Sequence, residues 1–231
     1  LDAIHLYRKL HYEDIRPDKV TFLCILKAIS SDSFLNMGKM IHHEILMRQV
    51  EVDAVVGSTV VHMYVKCGCM EDAEAAFNKL QTRNVVTWNS MIAGHVSHGH
   101  GYSALELYSR MQQQDCLQPE KVTFLYTLKA CGNTGLLEQG MIIHDQLIHN
   151  GFEWDAELKN ALIDMYAKCK SMSEAQKMFN SVHIQDIVAW NSLIGGYSQQ
   201  GQYEHVIGLF QDMQKGGLIP DKVTCSYTLK A

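Results

Sequence analysis

The chain nearly writes itself twice. TWNSMIAGH at residues 87–95 returns as AWNSLIGGY at 189–197, an offset of 102 residues that leaves Trp-Asn-Ser unchanged. Much the same offset relates VHMYVKCGCMEDAEAAF at 61–77 to LIDMYAKCKSMSEAQKMF at 162–179. It also relates DKVTFLCILKA at 18–28 to EKVTFLYTLKA at 120–130, and DKVTCSYTLKA closes the chain at 221–231. The prolines Pro17, Pro119 and Pro220 each stand just before one of these last segments. A period this long is composite, because one supersecondary unit rarely runs past about 50 residues. The chain is a tandem array of smaller units.

The local pattern is helical. In NALIDMYAKC the apolar residues Ala161, Leu162, Met165, Tyr166 and Cys169 fall on one stripe of a helix. Ser171 with Glu174 predicts a capping box, and Ala175, Met178 and Phe179 form the next stripe. Leu105 and Tyr108 follow the first Trp-Asn segment in the same way, and Ile207 and Phe210 the second. Gly68, Gly99 and Gly201 sit near the turns, so each unit reads as helix, turn, helix. Neither helix can bury its stripe alone. Neighbouring pairs must stack into a solenoid, whose concave face suits an extended ligand.

Cutting at the expected helix starts gives units of 35 residues (Lys19 to Asp53), 31 (Ala54 to Asn84), 36 (Val85 to Glu120), 35 (Lys121 to Asp155), 31 (Ala156 to Asp186) and 35 (Ile187 to Asp221). Partial units cover Leu1 to Asp18 and Lys222 to Ala231. The chain starts without Met and stops in mid-pattern, so it reads as a piece of a longer array, and the lack of a leader carries no weight.

Apolar residues make up 47% and charged residues 19%, enough for a continuous core and against a disordered chain. No apolar run is long enough to span a bilayer, so no membrane association is expected. Seven scattered cysteines fit a reducing compartment better than a disulfide framework. A net charge of −5 argues against indiscriminate polyanion binding, so any nucleic-acid affinity should come mostly from bases.

The units resemble plant pentatricopeptide repeat proteins of the PLS subfamily, which alternates three motif variants. VTFLYTLKACG is similar to the long variant, NALIDMYAKC to the short one and WNSLIGGYSQQG to the standard one. The resemblance covers the whole chain. It implies an all-α, right-handed superhelical solenoid that binds single-stranded RNA at about one base per repeat. It further implies that the fifth and last residues of a repeat jointly read a base. On this reading Asn160 with Asp186, and Asn191 with Asp221, prefer uracil, and Ser58 with Asn84 prefers adenine. Asn89 with Glu120 departs from the usual Asp or Asn, and a pyrimidine is expected there. Leu23 and Leu125 hold the reading place of the long units and cannot hydrogen-bond. The implied word is 5′-A-Y-N-U-U-3′. Val55, Val86 and Val188 occupy the second place, where family members sandwich bases between apolar side chains, and Glu157 breaks that pattern. Lys66 and Lys168 lie where a lysine reaches toward phosphate.

Each of these residues has a plainer reading. An Asn or Asp at a helix start is commonly a cap, a valine at the second place can be core, and the two lysines can be solvated charges. Recurrence at matched positions favours the reading role for the Asn and Asp residues. Trp88 and Trp190 read as packing anchors.

No catalytic, cofactor or metal site is expected. His42 and Glu44 make an H-x-E, but no proline precedes a cysteine and no C-x-x-C exists, so the metal set of the zinc deaminases is incomplete. His95, His98 and His100 span a turn without a cysteine or carboxylate close by in sequence, and Cys67 and Cys69 are too close for zinc-knuckle spacing. The resemblance implies a monomeric specificity segment of a C-to-U RNA editing factor in the chloroplast or mitochondrion. The long units resemble those that bind small organellar editing-factor proteins, and His42 and His144 lie on their second helices. The rival is a tetratricopeptide-like scaffold that grips peptides, whose units keep one length near about 34 residues.

Overall fold

The structure is a computed structural model that describes residues 2–13, 15–32, 34–48, 50, 53–182 and 185–230. Leu1 and Ala231, the ends of the two partial units, lie outside the described residues. The described residues form fourteen helices and no strand. First helices are α2 (Lys19–Asp32), α4 (Ala54–Lys66), α6 (Val85–Ser97), α8 (Lys121–Thr134), α10 (Ala156–Lys168), α12 (Ile187–Gln199) and α14 (Lys222–Thr228). Second helices are α1 (Asp2–Tyr12), α3 (Leu35–Met47), α5 (Met70–Lys79), α7 (Gly101–Gln113), α9 (Leu137–His149), α11 (Met172–Asn180) and α13 (Tyr203–Lys215).

The two helix types start differently. A first helix begins at a residue in extended conformation whose side chain caps it: Asp53 accepts from the backbone N–H of Val55 and Val56, Asn84 from Thr87, Asp155 from Leu158, Asp186 from Ala189 and Asp221 from Thr224. Each cap satisfies backbone donors that the helix leaves open. At α8 the backbone N–H of Glu120 donates to Thr123 Oγ1 at 3.1 Å. The second helices α5, α7, α9, α11 and α13 are entered through a tight turn in left-handed backbone, as at Gly68 (φ 75°) and Gly99 (φ 78°), and the residues that open them make no side-chain cap. The expected capping box of Ser171 and Glu174 does not form: Ser171 makes no cap bond, and the Glu174 carboxylate takes Lys177 Nζ at 2.6 Å. The turn fixes the start of α11 without it.

Helix contacts group the chain into two compact units, Leu1–Pro119 and Glu120–Ala231. In the first, α4 packs between α2 and α6, and in the second α10 packs between α8 and α12, which in turn meets α14. First helices thus make one layer in each unit. Every second helix leans on its own first helix, or on the next one, and second helices make no comparable contact with each other among the described residues. The core lies between the layers. Trp88 is fully buried with its ring edge-on to Phe77 at 4.7 Å, and Phe179 meets Trp190 with the same spacing. Burying one such side chain contributes about 1.5–3 kcal/mol. On α13 the buried residues are Val206 and Met213, whereas Ile207, expected on the stripe, is 48% exposed, because Val206 is the residue turned toward the first helices. All seven cysteines are free thiols; burial pushes Cys131 up to about 12, so that thiol is inert at neutral pH.

Candidate nucleic-acid interface

The first-helix layer brings the predicted reading residues together in the second compact unit. Asn160 on α10 donates from Nδ2 to Asp186 Oδ2 at 2.9 Å, while Asp186 Oδ1 caps α12 through the Ala189 N–H at 2.9 Å. One oxygen of the carboxylate therefore holds the Asn160 amide while the other caps α12. Asn191 on α12 donates from Nδ2 to both Asp221 oxygens at 3.1 Å, and Asp221 Oδ1 caps α14 through the Thr224 N–H at 2.8 Å. The Thr224 N–H, together with the Asn191 amide, holds the Asp221 carboxyl below the ordinary carboxylate range.

The two slots differ in one further partner. Thr224 Oγ1 donates to Asn191 Oδ1 at 2.6 Å, so that amide is held at both ends. The corresponding third residue of α12 is Ala189, which has no hydroxyl, and Asn160 Oδ1 is buried with no protein partner. Thr224 belongs to the site and was not singled out from the sequence; its signal was the recurring Lys-Val-Thr at the start of long units.

In the first compact unit the side chains are placed otherwise. Ser58 is buried and its hydroxyl donates to the Val55 carbonyl at 3.0 Å, while Asn84 Oδ1 accepts from the Thr87 N–H at 2.9 Å and hydroxyl at 2.8 Å. No hydrogen bond joins Ser58 to Asn84 among the described residues. Asn89 is buried on α6 and Glu120 is exposed at the entry to α8.

Val55, Val86 and Val188 are 50%, 59% and 53% exposed, so they are not core. Val20, Val122 and Val223 hold the same second place in the long units and are also exposed. Glu157, the exception, is ion-paired with Lys121 at 2.9 Å. An open pocket of about 330 Å³ between α10, α12 and α14 is lined by Val188, Val223, Asn191 and Asp221, with Asp164 and Lys168 at its side. Lys168 is paired with Asp164 at 2.7 Å. Lys66 is exposed with no ion pair among the described residues; His62 stands where its copy has Asp164.

The histidines singled out from the sequence have other partners. His42 Nδ1 lies 3.0 Å from the Tyr64 hydroxyl and His144 Nδ1 2.9 Å from that of Tyr166. Glu44 holds Arg48 at 2.7 Å and the Tyr7 hydroxyl. His95 faces Glu74 at 3.2 Å, and His98 Nδ1 donates to the Gly94 carbonyl at 2.8 Å. Among the described residues no three His, Cys, Asp or Glu side chains are grouped to hold a metal.

A model of the PPR repeat family matches residues 83–133 and 185–231, and a model of the single PPR repeat matches 58–85 and 159–183, together well over half of the chain. The chain belongs to the pentatricopeptide repeat family. Pentatricopeptide repeat-containing protein At4g39530 of Arabidopsis thaliana is 32% identical over 96% of this chain and 27% of its own length. CRR2, chloroplastic, from the same plant, is 32% identical over 96% of this chain and 35% of its own. The chain thus spans well under half the length of these relatives. The crystal structure of the pentatricopeptide repeat protein PPR10 in complex with an 18-nt psaJ RNA element superposes with a TM-score of 0.87 at 19% identity, covering 99% of this chain and 34% of that one. Pentatricopeptide repeats in both thus share one fold, the solenoid of helix pairs.

Proposed function

We propose that this chain binds single-stranded RNA through its first-helix face, about one base per unit, with the preference 5′-A-Y-N-U-U-3′, as the specificity segment of an organellar C-to-U editing factor of the PLS subfamily. The observation that carries the reading is the Asn–Asp bridge in two successive slots, Asn160 to Asp186 and Asn191 to Asp221. Each bridge fixes the orientation of an amide at the reading place, and exposed Val188 and Val223 supply apolar faces in the pocket beside Asn191. PPR10, which shares the fold, is described in complex with RNA. Base stacking and edge contacts are worth about 1–3 kcal/mol per base, so a handful of slots gives modest affinity and needs neighbours in a longer array. Relatives described as chloroplastic support an organellar setting. The units are read as long (19–53 and 121–155), short (54–84 and 156–186) and standard (85–120 and 187–221) repeats of one monomeric solenoid.

The test is selection of a random single-stranded RNA pool on the purified chain. Enrichment of A-Y-N-U-U is expected, and Asn160→Thr with Asp186→Asn should move the penultimate U toward A. Retention of no RNA, or of RNA without preference, by a folded sample would put the peptide-binding scaffold first. A compatible second reading has protein partners on the long units, favoured by exposed Met40 and Met47 on α3 and Met141 and Ile142 on α9.

A further inference from the structure

We propose that Lys27 and Lys129, at the ninth place of the long units' first helices, contact RNA phosphates, so that these units grip the backbone while their leucines leave the base unread. This rests on the RNA-binding reading above. At 3.6 residues per turn, the second, fifth and ninth places of a helix fall on one stripe. On α8 that stripe is Val122, Leu125, Lys129, and on α2 it is Val20, Leu23, Lys27. The valines are 44% and 63% exposed, which places both stripes on the open face of the first-helix layer, and both lysines are exposed.

Charge pairing separates these lysines from their neighbours. Lys19, at the start of α2, is held by Asp53 at 2.6 Å, and Lys121, at the start of α8, by Asp155 and Glu157 at 2.9 Å. Lys168 is held by Asp164. Neither Lys27 nor Lys129 has a carboxylate within ion-pair distance among the described residues. The long units therefore neutralise the cation at the helix start and leave the one two turns along the stripe. On α8 that position adjoins the groove edge: Gly132, one turn on, faces the Lys168 stem so closely that an added methyl group would lie 3.2 Å from Lys168 Cδ. An ammonium is a point charge with three donors, suited to a phosphate of any sequence, whereas leucine at the fifth place offers a base nothing to hydrogen-bond. In the last partial unit Lys230 is exposed and follows Val223 by the same interval, but it lies just past the end of α14 and Ser226 stands at the fifth place.

The experiment measures the salt dependence of RNA affinity for the unaltered chain, Lys27→Gln, Lys129→Gln, the two Lys→Arg variants and Lys177→Gln on α11 as a control. Each Lys→Gln change should flatten the plot of log affinity against log salt by about 0.7, equally for RNAs that match the core word and RNAs that do not. The Arg variants and Lys177→Gln should keep the original slope. Sequence-selective binding with an unchanged slope in both Gln variants overturns the inference and leaves base reading standing. A slope lost with Arg as well as Gln, or a loss confined to one sequence, also overturns it. If the unaltered chain retains no RNA, the RNA reading itself falls and takes the inference with it.

Discussion

The stretch 54–120 and its copy 156–221, one residue shorter, use corresponding helices but make different bonds. In the short unit of the copy an asparagine, Asn160, stands at the fifth place and its amide spans the gap to the carboxylate that caps the next helix. In the first stretch Ser58 is too short to cross, turns back on its own helix, and leaves Asn84 to serve only as a cap. The tryptophans differ the other way. Trp88 is fully buried and its Nε1 donates to Asp115 Oδ2 at 2.8 Å, whereas Trp190 is half-buried with no acceptor for its Nε1 among the described residues, since Gly217 stands 102 residues beyond Asp115. Repetition thus preserves the packing geometry and leaves polar partnership free to vary, one slot built for a rigid core and another for a polar groove.

The largest expected break in the comparison is at the tryptophans. Trp88→Ala should destabilise by about 3–5 kcal/mol through cavity formation. Trp190→Ala should cost about 1–3 kcal/mol less, because no charged acceptor is left unpaired. Urea unfolding of both variants followed by circular dichroism checks this, and equal losses would remove the distinction. Next come the turns. Gly68 is left-handed at φ 75°, and its copy Lys170 holds φ 63° with a side chain that disfavours it. Lys170→Gly should stabilise the chain, and Gly68→Lys destabilise it, each by about 1–2 kcal/mol in the same urea titration.

A smaller effect concerns the groove lysines. Asp164→Asn should release Lys168 and steepen the salt dependence of RNA affinity by about 0.7, making this copy behave like Lys66, which stands beside His62. An unchanged slope would mean that Lys168 does not meet phosphate. The smallest effect is in pH. Burial holds His42 and His144 below the ordinary histidine value of 6.5; Lys79 adds to the shift at His42 and Asp72 opposes it, while Asp145 and Glu174 oppose it at His144. A base whose folded value is depressed binds more protons when unfolded. Stability is therefore fully present above about 6.5 and is lost as pH falls through the folded value. His42→Gln and His144→Gln should each flatten the fall in thermal midpoint between pH 7 and 5.

Much of this molecule could be read before folding. Helix pairs, their order and the fold class were legible because periodicity, left-handed glycines and capping residues act over a few residues. The Asn and Asp positions were legible because they recur. Other features were not. Ser171 and Glu174 have the letters of a capping box, yet the turn at Lys170 and the pull of Lys177 on Glu174 settle that helix start without one. The valines at the second place could be core or surface until the stacking of first helices left them outside.

The sequence by itself determined the repeat, the helices and which residue types face the first-helix side. Only the tertiary structure decided that Asp186 divides its two oxygens between a cap and Asn160, that Thr224 pins Asn191 while Ala189 leaves Asn160 half-satisfied, and that Lys168 is held by Asp164. The groove bonds join residues 26, 30 and 33 positions apart on neighbouring first helices. Whether such side chains meet depends on the stagger between two packed helices, a distance of a few ångströms that no local pattern encodes and that core packing sets.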